Sequence, residues 1–271
     1  MRSYIGGISA LPEIKRDISA AAGYLWEKGW AERNAGNISV NVTRKISEFP
    51  AGLDYHPEIK LGRSYPNLKN NILVVTGTGT RMCDVEKDIY ANTCLLAINE
   101  NGNSYRQIQK SDLPTEPQPT SELPSHLSIH EMLVAENRRE KAILHTHPNK
   151  LIALTHIKNY CNEGKINRLL WSVQPETCVF IHDGLGFVPY LQTGSHELAE
   201  ATIRKFRDHR VVLWEKHGCL AIGKNAEEAF DLIDIAEKSA DIFFTVKNAG
   251  YEFEGISPRD LDDLRATFNP A

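Results

Sequence analysis

Ala142-Ile143-Leu144-His145-Thr146-His147 is the stretch on which the reading of this chain turns. Three apolar residues lead into two imidazoles at positions i and i+2. As a β-strand, the stretch places residues i and i+2 on the same face. His145 and His147 then converge on one point, as a metal site requires. A catalytic zinc site takes three protein ligands and keeps one position open. The third candidate, His217, lies downstream in Trp214-Glu215-Lys216-His217-Gly218. A carboxylate candidate, Glu122, lies upstream in Pro119-Thr120-Ser121-Glu122-Leu123-Pro124. The pattern is that of a metal-dependent enzyme.

Working outward from the strand, helical and extended segments mix on both sides. Ile14, Ile18, Ala21, Ala22, Leu25 and Trp26 form an apolar stripe at helical spacing, with Lys28-Gly29 as a stop. Asn34-Ala35-Gly36-Asn37 is a tight loop. Ile38, Val40 and Val42 then alternate with Ser39 and Asn41, which predicts a strand. Residues 43 to 70 are rich in Pro, Gly, Asn and charge and read as a surface excursion. Ile72-Leu73-Val74-Val75 is a short buried strand running into Thr76-Gly77-Thr78-Gly79. Leu95 to Ile98 and Tyr105 to Ile108 flank Asn101-Gly102, a hairpin signal. Residues 110 to 120 read as a polar, proline-rich loop.

A helix is expected from Leu123 to Asn137, and a short one around Leu151 to Ile157. Cys178 to Ile181 and Phe187 to Tyr190 read as strands around His182-Asp183-Gly184. Ser195 is a candidate N-cap for a helix to about Asp208. Val211 to Trp214 and Cys219 to Ile222 are strands that bracket His217-Gly218. Asn225 caps a long helix through Lys247, with Gly250 past its end, and Ser257-Pro258 opens a last helix. No internal repeat and no long linker divides the chain. Residues 1–271 are therefore expected to form one α/β domain.

Composition narrows the function classes. The 271 residues are 41% hydrophobic and 24% charged, near globular averages. A formal charge of −4 excludes a general nucleic-acid binder. Five cysteines at wide spacing, with no C-x-x-C, do not form a disulfide framework and suit a reducing compartment. Met1 to Trp26 has no signal-peptide pattern, since Glu13, Lys15, Arg16 and Asp17 interrupt any apolar core. No stretch reaches the roughly 18–20 apolar residues that span a bilayer. A cytoplasmic protein with no membrane partner is expected.

Three neutral imidazoles suit Zn²⁺ better than Mg²⁺ or Ca²⁺, which prefer oxygen. A zinc held by three His keeps its charge and can polarise a carbonyl. Glu122 has two readings: an acid in the first turn of a helix beside Thr120 and Ser121, or a general acid/base near a cation. Gly77-Thr78-Gly79 after a strand is either a plain turn or an anion site built from backbone N–H groups. It fits neither the Walker pattern nor G-x-G-x-x-G. Asn34, Asn37, Thr120 and Ser121 are neutral hydrogen-bonding groups that also serve as turn and cap formers. The other seven histidines, His126 and His130 among them, sit mostly in polar or helical contexts and receive no role. Cys219 reads as a small core residue.

Taken together, these segments resemble the class II (zinc-dependent) sugar-phosphate aldolases of the aldolase/adducin family. The carrying stretches are Lys28-Gly29-Trp30-Ala31-Glu32-Arg33-Asn34-Ala35-Gly36-Asn37, Val75-Thr76-Gly77-Thr78-Gly79 and Pro119-Thr120-Ser121-Glu122-Leu123-Pro124-Ser125-His126. His145 to Thr155, Leu213 to Gly218 and Ile233 to Ala240 complete them, in family order over roughly residues 15 to 260. The resemblance implies one Zn²⁺ per subunit on His145, His147 and His217, with Glu122 as catalytic acid/base. It implies substrate and phosphate binding by Asn34, Gly36, Asn37, Gly77, Thr78, Gly79, Thr120 and Ser121. Thr78 stands where the family often has serine. Glu176 matches a family acid that reaches a neighbouring subunit's site.

The implied fold is a single α/β domain, a central and largely antiparallel sheet flanked by helical layers, assembled as a homotetramer. The implied activity is reversible retro-aldol cleavage of a ketose 1-phosphate. The W-x-E-R-N-x-G-N loop combined with T-S-E-L-P points to L-rhamnulose 1-phosphate, cleaved to dihydroxyacetone phosphate and L-lactaldehyde in rhamnose breakdown. The rival within the scaffold is another sugar-phosphate aldolase, an epimerase or a dehydratase. The rival outside enzymology is a non-catalytic module like the aldolase-like head of adducin, which should lack the intact metal triad.

Overall fold

The apolar stripe from Ile14 to Trp26 forms α1 (Pro12–Glu27), which buries Ile18, Ala21, Ala22 and Leu25. Gly29 ends it at φ +69°, and Trp30 N–H reaches back to the Leu25 carbonyl at 3.1 Å. That left-handed residue satisfies a carbonyl the helix would otherwise leave open. The computed structural model describes residues 12–45, 55–110, 113 and 115–268. The chain divides into two compact units, Met1–Leu144 with Ile222–Ala229 and His145–Ala221 with Phe230–Ala271.

In the first unit α1 is followed by β1 (Asn37–Asn41), β2 (Ile59–Lys60) and β3 (Ile72–Thr76). Then come α2 (Met82–Lys87), α3 (Ile89–Asn92), β4 (Thr93–Ile98), β5 (Ser104–Gln107), α4 (Leu123–Ala135) and the start of β6 (Ala142–Thr146). The strands lie in the order β2-β5-β4-β3-β1-β6. β1 pairs antiparallel with β3, Ser39 opposite Val75, and β4 with β5, Ile98 opposite Tyr105. The Asn101-Gly102 turn closes that hairpin with Gly102 at φ +68°. Every residue of β3 is buried, so both of its faces are covered, as its unbroken apolar run requires. Leu73, Val75, Leu96, Ile98, Leu123 and Leu127 pack into one cluster. Each such side chain contributes about 1.5–3 kcal/mol of transfer free energy.

Of the excursion expected over 43 to 70, residues 46–54 lie outside the described residues. So do residues 1–11 of the N-terminal stretch and 111, 112 and 114 of the polar loop.

The second unit takes up the end of β6, His145 and Thr146, then α5 (Asn149–Leu154), α6 (Glu163–Val173), α7 (Pro175–Phe180) and β7 (Leu185–Val188). α8 (His196–Phe206), β8 (Val211–Trp214), β9 (Gly218–Gly223), α9 (Ala226–Asn248) and α10 (Pro258–Phe268) follow. The last two residues of β9 and the first four of α9 belong to the first unit. The order here is β9-β8-β7, with β8 antiparallel to β9 and parallel to β7. Ser195 caps α8 by accepting the Leu198 N–H, and Asn225 accepts the Glu228 N–H at the start of α9.

One expected strand is a helix. Cys178 to Ile181 is β-branched and apolar, yet Pro175 starts α7 there and Thr177 and Cys178 are buried in it. The Thr177 hydroxyl meets the Ser239 hydroxyl at 2.6 Å, so packing against α9 overrides the local β preference. Pairing is otherwise largely antiparallel, as expected. Among the described residues no helix is long and apolar enough to cross a membrane.

Candidate metal centre and acid/base site

His145 lies buried on β6, and His147 follows just past the strand's end, after Thr146. His217 arrives from the turn between β8 and β9. One candidate ligand atom from each of the three lies within 4.8 Å of the others. Their ring centroids are 5.2 to 5.4 Å apart. The sequence therefore named all three members of the cluster.

The tautomer of His145 is set by its partner. Its Nδ1 lies 3.0 Å from the Cys219 carbonyl, which can only accept, so Nδ1 is the donor and Nε2 is the nitrogen left to face a metal. Carbonyls orient metal-binding histidines in this way. The donor set fits a divalent transition metal. Gly218 is required here. A Cβ on it would lie 2.7 Å from the Thr146 carbonyl oxygen, 2.8 Å from a His147 ring carbon and 3.0 Å from one of His145. Burial pushes the Cys219 thiol up.

The turn that delivers His217 is held on several sides. Lys216 sits at φ +58°, a left-handed conformation uncommon for a residue with a Cβ. Its N–H donates to the Thr155 hydroxyl at 2.8 Å. Trp214 lies against both His145 and His217, centroids 5.1 and 5.0 Å away, and anchors its own Nε1–H on Thr202 at 2.8 Å. The chain after His147 is tied down by Glu237, whose carboxylate accepts the Lys150 and Leu151 N–H groups at 2.9 and 2.8 Å. Burial raises the Glu237 carboxyl, and those two N–H groups oppose the rise.

In the first unit, three loops that the sequence singled out are brought together around Thr76. Its hydroxyl accepts the Ile38 N–H at 3.1 Å and its carbonyl accepts the Thr120 N–H at 3.1 Å. The Asn34–Asn37 loop, the Gly77–Gly79 turn and the Thr120–Glu122 segment thereby share one anchor. Thr76 received no role from the sequence, where it reads only as the first residue of the turn after the strand.

The half-buried Glu122 is the N-cap residue of α4, with no side-chain cap bond. Its carboxylate accepts from Asn37 Nδ2 at 3.0 Å. Thr120 orders the turn ahead of the helix, its hydroxyl accepting the Glu122 N–H. Capping alone therefore does not explain the Glu122 side chain.

Behind Asn37 stand three residues that received no role from sequence: Ser39, His126 and His130. All are at most 1% exposed. Ser39 Oγ is 2.7 Å from His126 Nδ1 and 2.8 Å from His130 Nε2, and His126 Nε2 faces Asn37 Oδ1. The available signal was the i, i+4 spacing of the two histidines on α4.

Burial, with His126 and Lys141 nearby, pushes the His130 imidazole down to about 3. The folded value lies below the unfolded one of about 6.5. This stabilisation is therefore complete above pH 6.5 and is lost as pH falls toward the folded value. Stability should therefore fall progressively as pH drops below about 6.5. His130→Gln should show a flatter acid limb in denaturant melts. Equal acid sensitivity of the two proteins would rule this out.

The expected phosphate turn is partly committed. Gly77 N–H donates to the Asn92 carbonyl at 2.9 Å and Thr78 N–H to that of Gln118 at 2.7 Å. Thr78 and Gly79 are exposed, and Gly79 adopts φ +74°. Any anion there meets the Thr78 side chain and Gly79 rather than those two N–H groups. Asn34 and Ser121 are exposed, Gly36 is half-buried, and Asn37 and Thr120 are buried. Glu176 lies exposed in the first turn of α7.

Residues 16–244 match the family described as Class II Aldolase and Adducin N-terminal domain. The chain belongs to that family. Class II aldolase relatives match it almost end to end. Rhamnulose-1-phosphate aldolase of Bacteroides thetaiotaomicron is 41% identical over 270 residues, 99% of each chain. Rhamnulose-1-phosphate aldolase of Enterobacter sp. (strain 638) is 35% identical, covering 90% of this chain and 88% of that one. Among solved structures, a sugar-phosphate aldolase from Thermotoga maritima superposes with a TM-score of 0.76 at 34% identity, over 90% of this chain and 98% of that one. The mixed α/β fold expected from the sequence is thus the class II aldolase fold.

Proposed function

We propose that this class II aldolase reversibly cleaves L-rhamnulose 1-phosphate to dihydroxyacetone phosphate and L-lactaldehyde. The observation that carries the reading is the convergence of His145, His147 and His217, in a chain that a curated rhamnulose-1-phosphate aldolase matches over 99% of its length. In this reading the three imidazoles hold one Zn²⁺ per subunit. When bound, the metal polarises the ketose carbonyl and stabilises negative charge developing on oxygen.

This chain's own residues do the rest. Glu122, ionised at the start, accepts the C4-hydroxyl proton, the C3–C4 bond breaks, and its electron pair passes toward the C2 carbonyl. Glu122 then returns that proton to C3, and in the synthetic direction removes it. Asn37 holds the carboxylate for that transfer. Asn34, Gly36, Gly77, Thr78, Gly79, Thr120 and Ser121 orient the sugar and its phosphate, which removes much of the entropic part of the barrier.

The two units act as one aldolase domain, a reading supported by a family match that spans both. The protein works in the cytoplasm, which suits its five free cysteines. It assembles as a homotetramer in which Glu176 reaches a neighbouring copy's site.

The deciding experiment is cleavage of L-rhamnulose 1-phosphate by metal-loaded protein, with dihydroxyacetone phosphate read by coupled reduction beside a chelated control. Fast release abolished by chelator is expected. No release from protein that holds zinc would overturn the substrate and redirect the search to other sugar phosphates and to epimerase or dehydratase chemistry.

A further inference from the structure

The hydrogen bonds behind Glu122 all run in one direction. An ionised carboxylate only accepts, so Asn37 must turn its Nδ2 toward Glu122. The amide oxygen then faces His126, so His126 Nε2 carries the proton. With that imidazole neutral, Nδ1 is an acceptor and takes the single proton of the Ser39 hydroxyl. Ser39 Oγ is left to accept from His130, whose Nε2 is therefore the protonated nitrogen.

The chain is thus His130 to Ser39 to His126 to Asn37 to Glu122, each a donor to the next. It starts at a residue 1% exposed and ends at the half-buried carboxylate. Three polar side chains at that depth are costly unless each is satisfied, and apolar groups would fill the same space more cheaply. A one-way network of this kind is a device for fixing the rotamer and amide orientation at its end.

We propose that Ser39, His126 and His130 are positioning residues which, through Asn37, hold the Glu122 carboxylate in the orientation for proton transfer at C3. The inference rests on the reading of Glu122 as the acid/base of the aldolase. Asn37 could otherwise rotate by 180° and present its carbonyl oxygen to Glu122, which would repel the carboxylate. His126 prevents this, because its Nε2–H would then meet the Asn37 NH₂. Ser39 and His130 in turn keep the proton on that nitrogen of His126.

The test uses the metal-loaded protein and follows exchange of the C3 hydrogen of dihydroxyacetone phosphate with D₂O by NMR, a reaction that needs no aldehyde. Ser39→Ala and His130→Leu are compared with His130→Gln, whose amide keeps an N–H donor near the Nε2 position. Metal content and thermal melting are measured for each, and rates are expressed per metal-loaded folded chain. Ser39→Ala and His130→Leu are expected to lose about 10- to 100-fold in kcat with KM within roughly twofold. His130→Gln is expected to stay within about threefold of the parent.

Parental kcat in Ser39→Ala and His130→Leu would overturn the proposal. So would a His130→Gln that falls as far as His130→Leu, since volume rather than the N–H would then be what matters. If Ser39→Ala does not fold, the two His130 variants decide. Failure of the underlying reading looks different: Glu122→Gln itself would then exchange the C3 hydrogen at the parental rate.

Discussion

Glu122→Gln is expected to keep its metal and its fold and to lose about 10²- to 10⁴-fold in kcat, the range for removing a positioned general acid/base. The substitution is nearly isosteric. Its amide oxygen can still accept the Asn37 Nδ2–H that Glu122 accepts at 3.0 Å. What it lacks is a carboxylate that takes up and returns a proton. KM should change little, because binding energy from the phosphate and the sugar hydroxyls is untouched. The measurement is steady-state cleavage together with zinc content by atomic absorption. A zinc-loaded Gln variant with parental turnover would remove Glu122 from the chemistry and leave it as a residue at a helix start.

The second large effect is at the metal. His217→Ala removes one of three imidazoles whose ligand atoms lie within 4.8 Å of one another. Four-ligand structural zinc binds with an apparent 10–16 kcal/mol, or about 2.5–4 kcal/mol for each ligand. The variant should therefore bind zinc about 10²- to 10³-fold more weakly and lose activity in parallel. Equilibrium competition with a chromogenic chelator reads the affinity directly. Unchanged affinity and activity would exclude His217 from the site. The fold itself should survive, because His217 is half-buried in a turn between two buried strands, and Trp214 and Gly218 remain in place.

Much of the site was legible because its signals are local. His145 and His147 needed only the period of a strand, and His217 was marked by a strand end before glycine. Glu122 was visible as an acid at a helix start, although its cap-or-catalyst ambiguity could not be resolved there. The structure bears on it, since Thr120 takes the Glu122 N–H while the Glu122 carboxylate takes Asn37 instead. The Gly77–Gly79 turn shows the opposite limit. Its glycine pattern suggested backbone N–H groups turned to an anion, but two of them are bonded to carbonyls at Asn92 and Gln118. Those partners are distant in sequence and leave no mark in the motif.

By itself the sequence determined what depends on chain neighbours: the stops and caps at Gly29, Ser195 and Asn225, the Asn101-Gly102 hairpin, and the strand that pairs His145 with His147. It also carried enough ordered motif to show the family. Only the tertiary structure decided what depends on opposing surfaces. It turned Cys178 to Phe180 into helix, because burial against α9 outweighs β propensity. It placed Ser39 against His126 and His130, 87 and 91 residues away, rather than in water. Alternation along β1 says that Ser39 shares a face with Asn37 and Asn41. It does not say that this face is covered, nor by which helix, because a strand's period records the side a residue takes and not what packs against it.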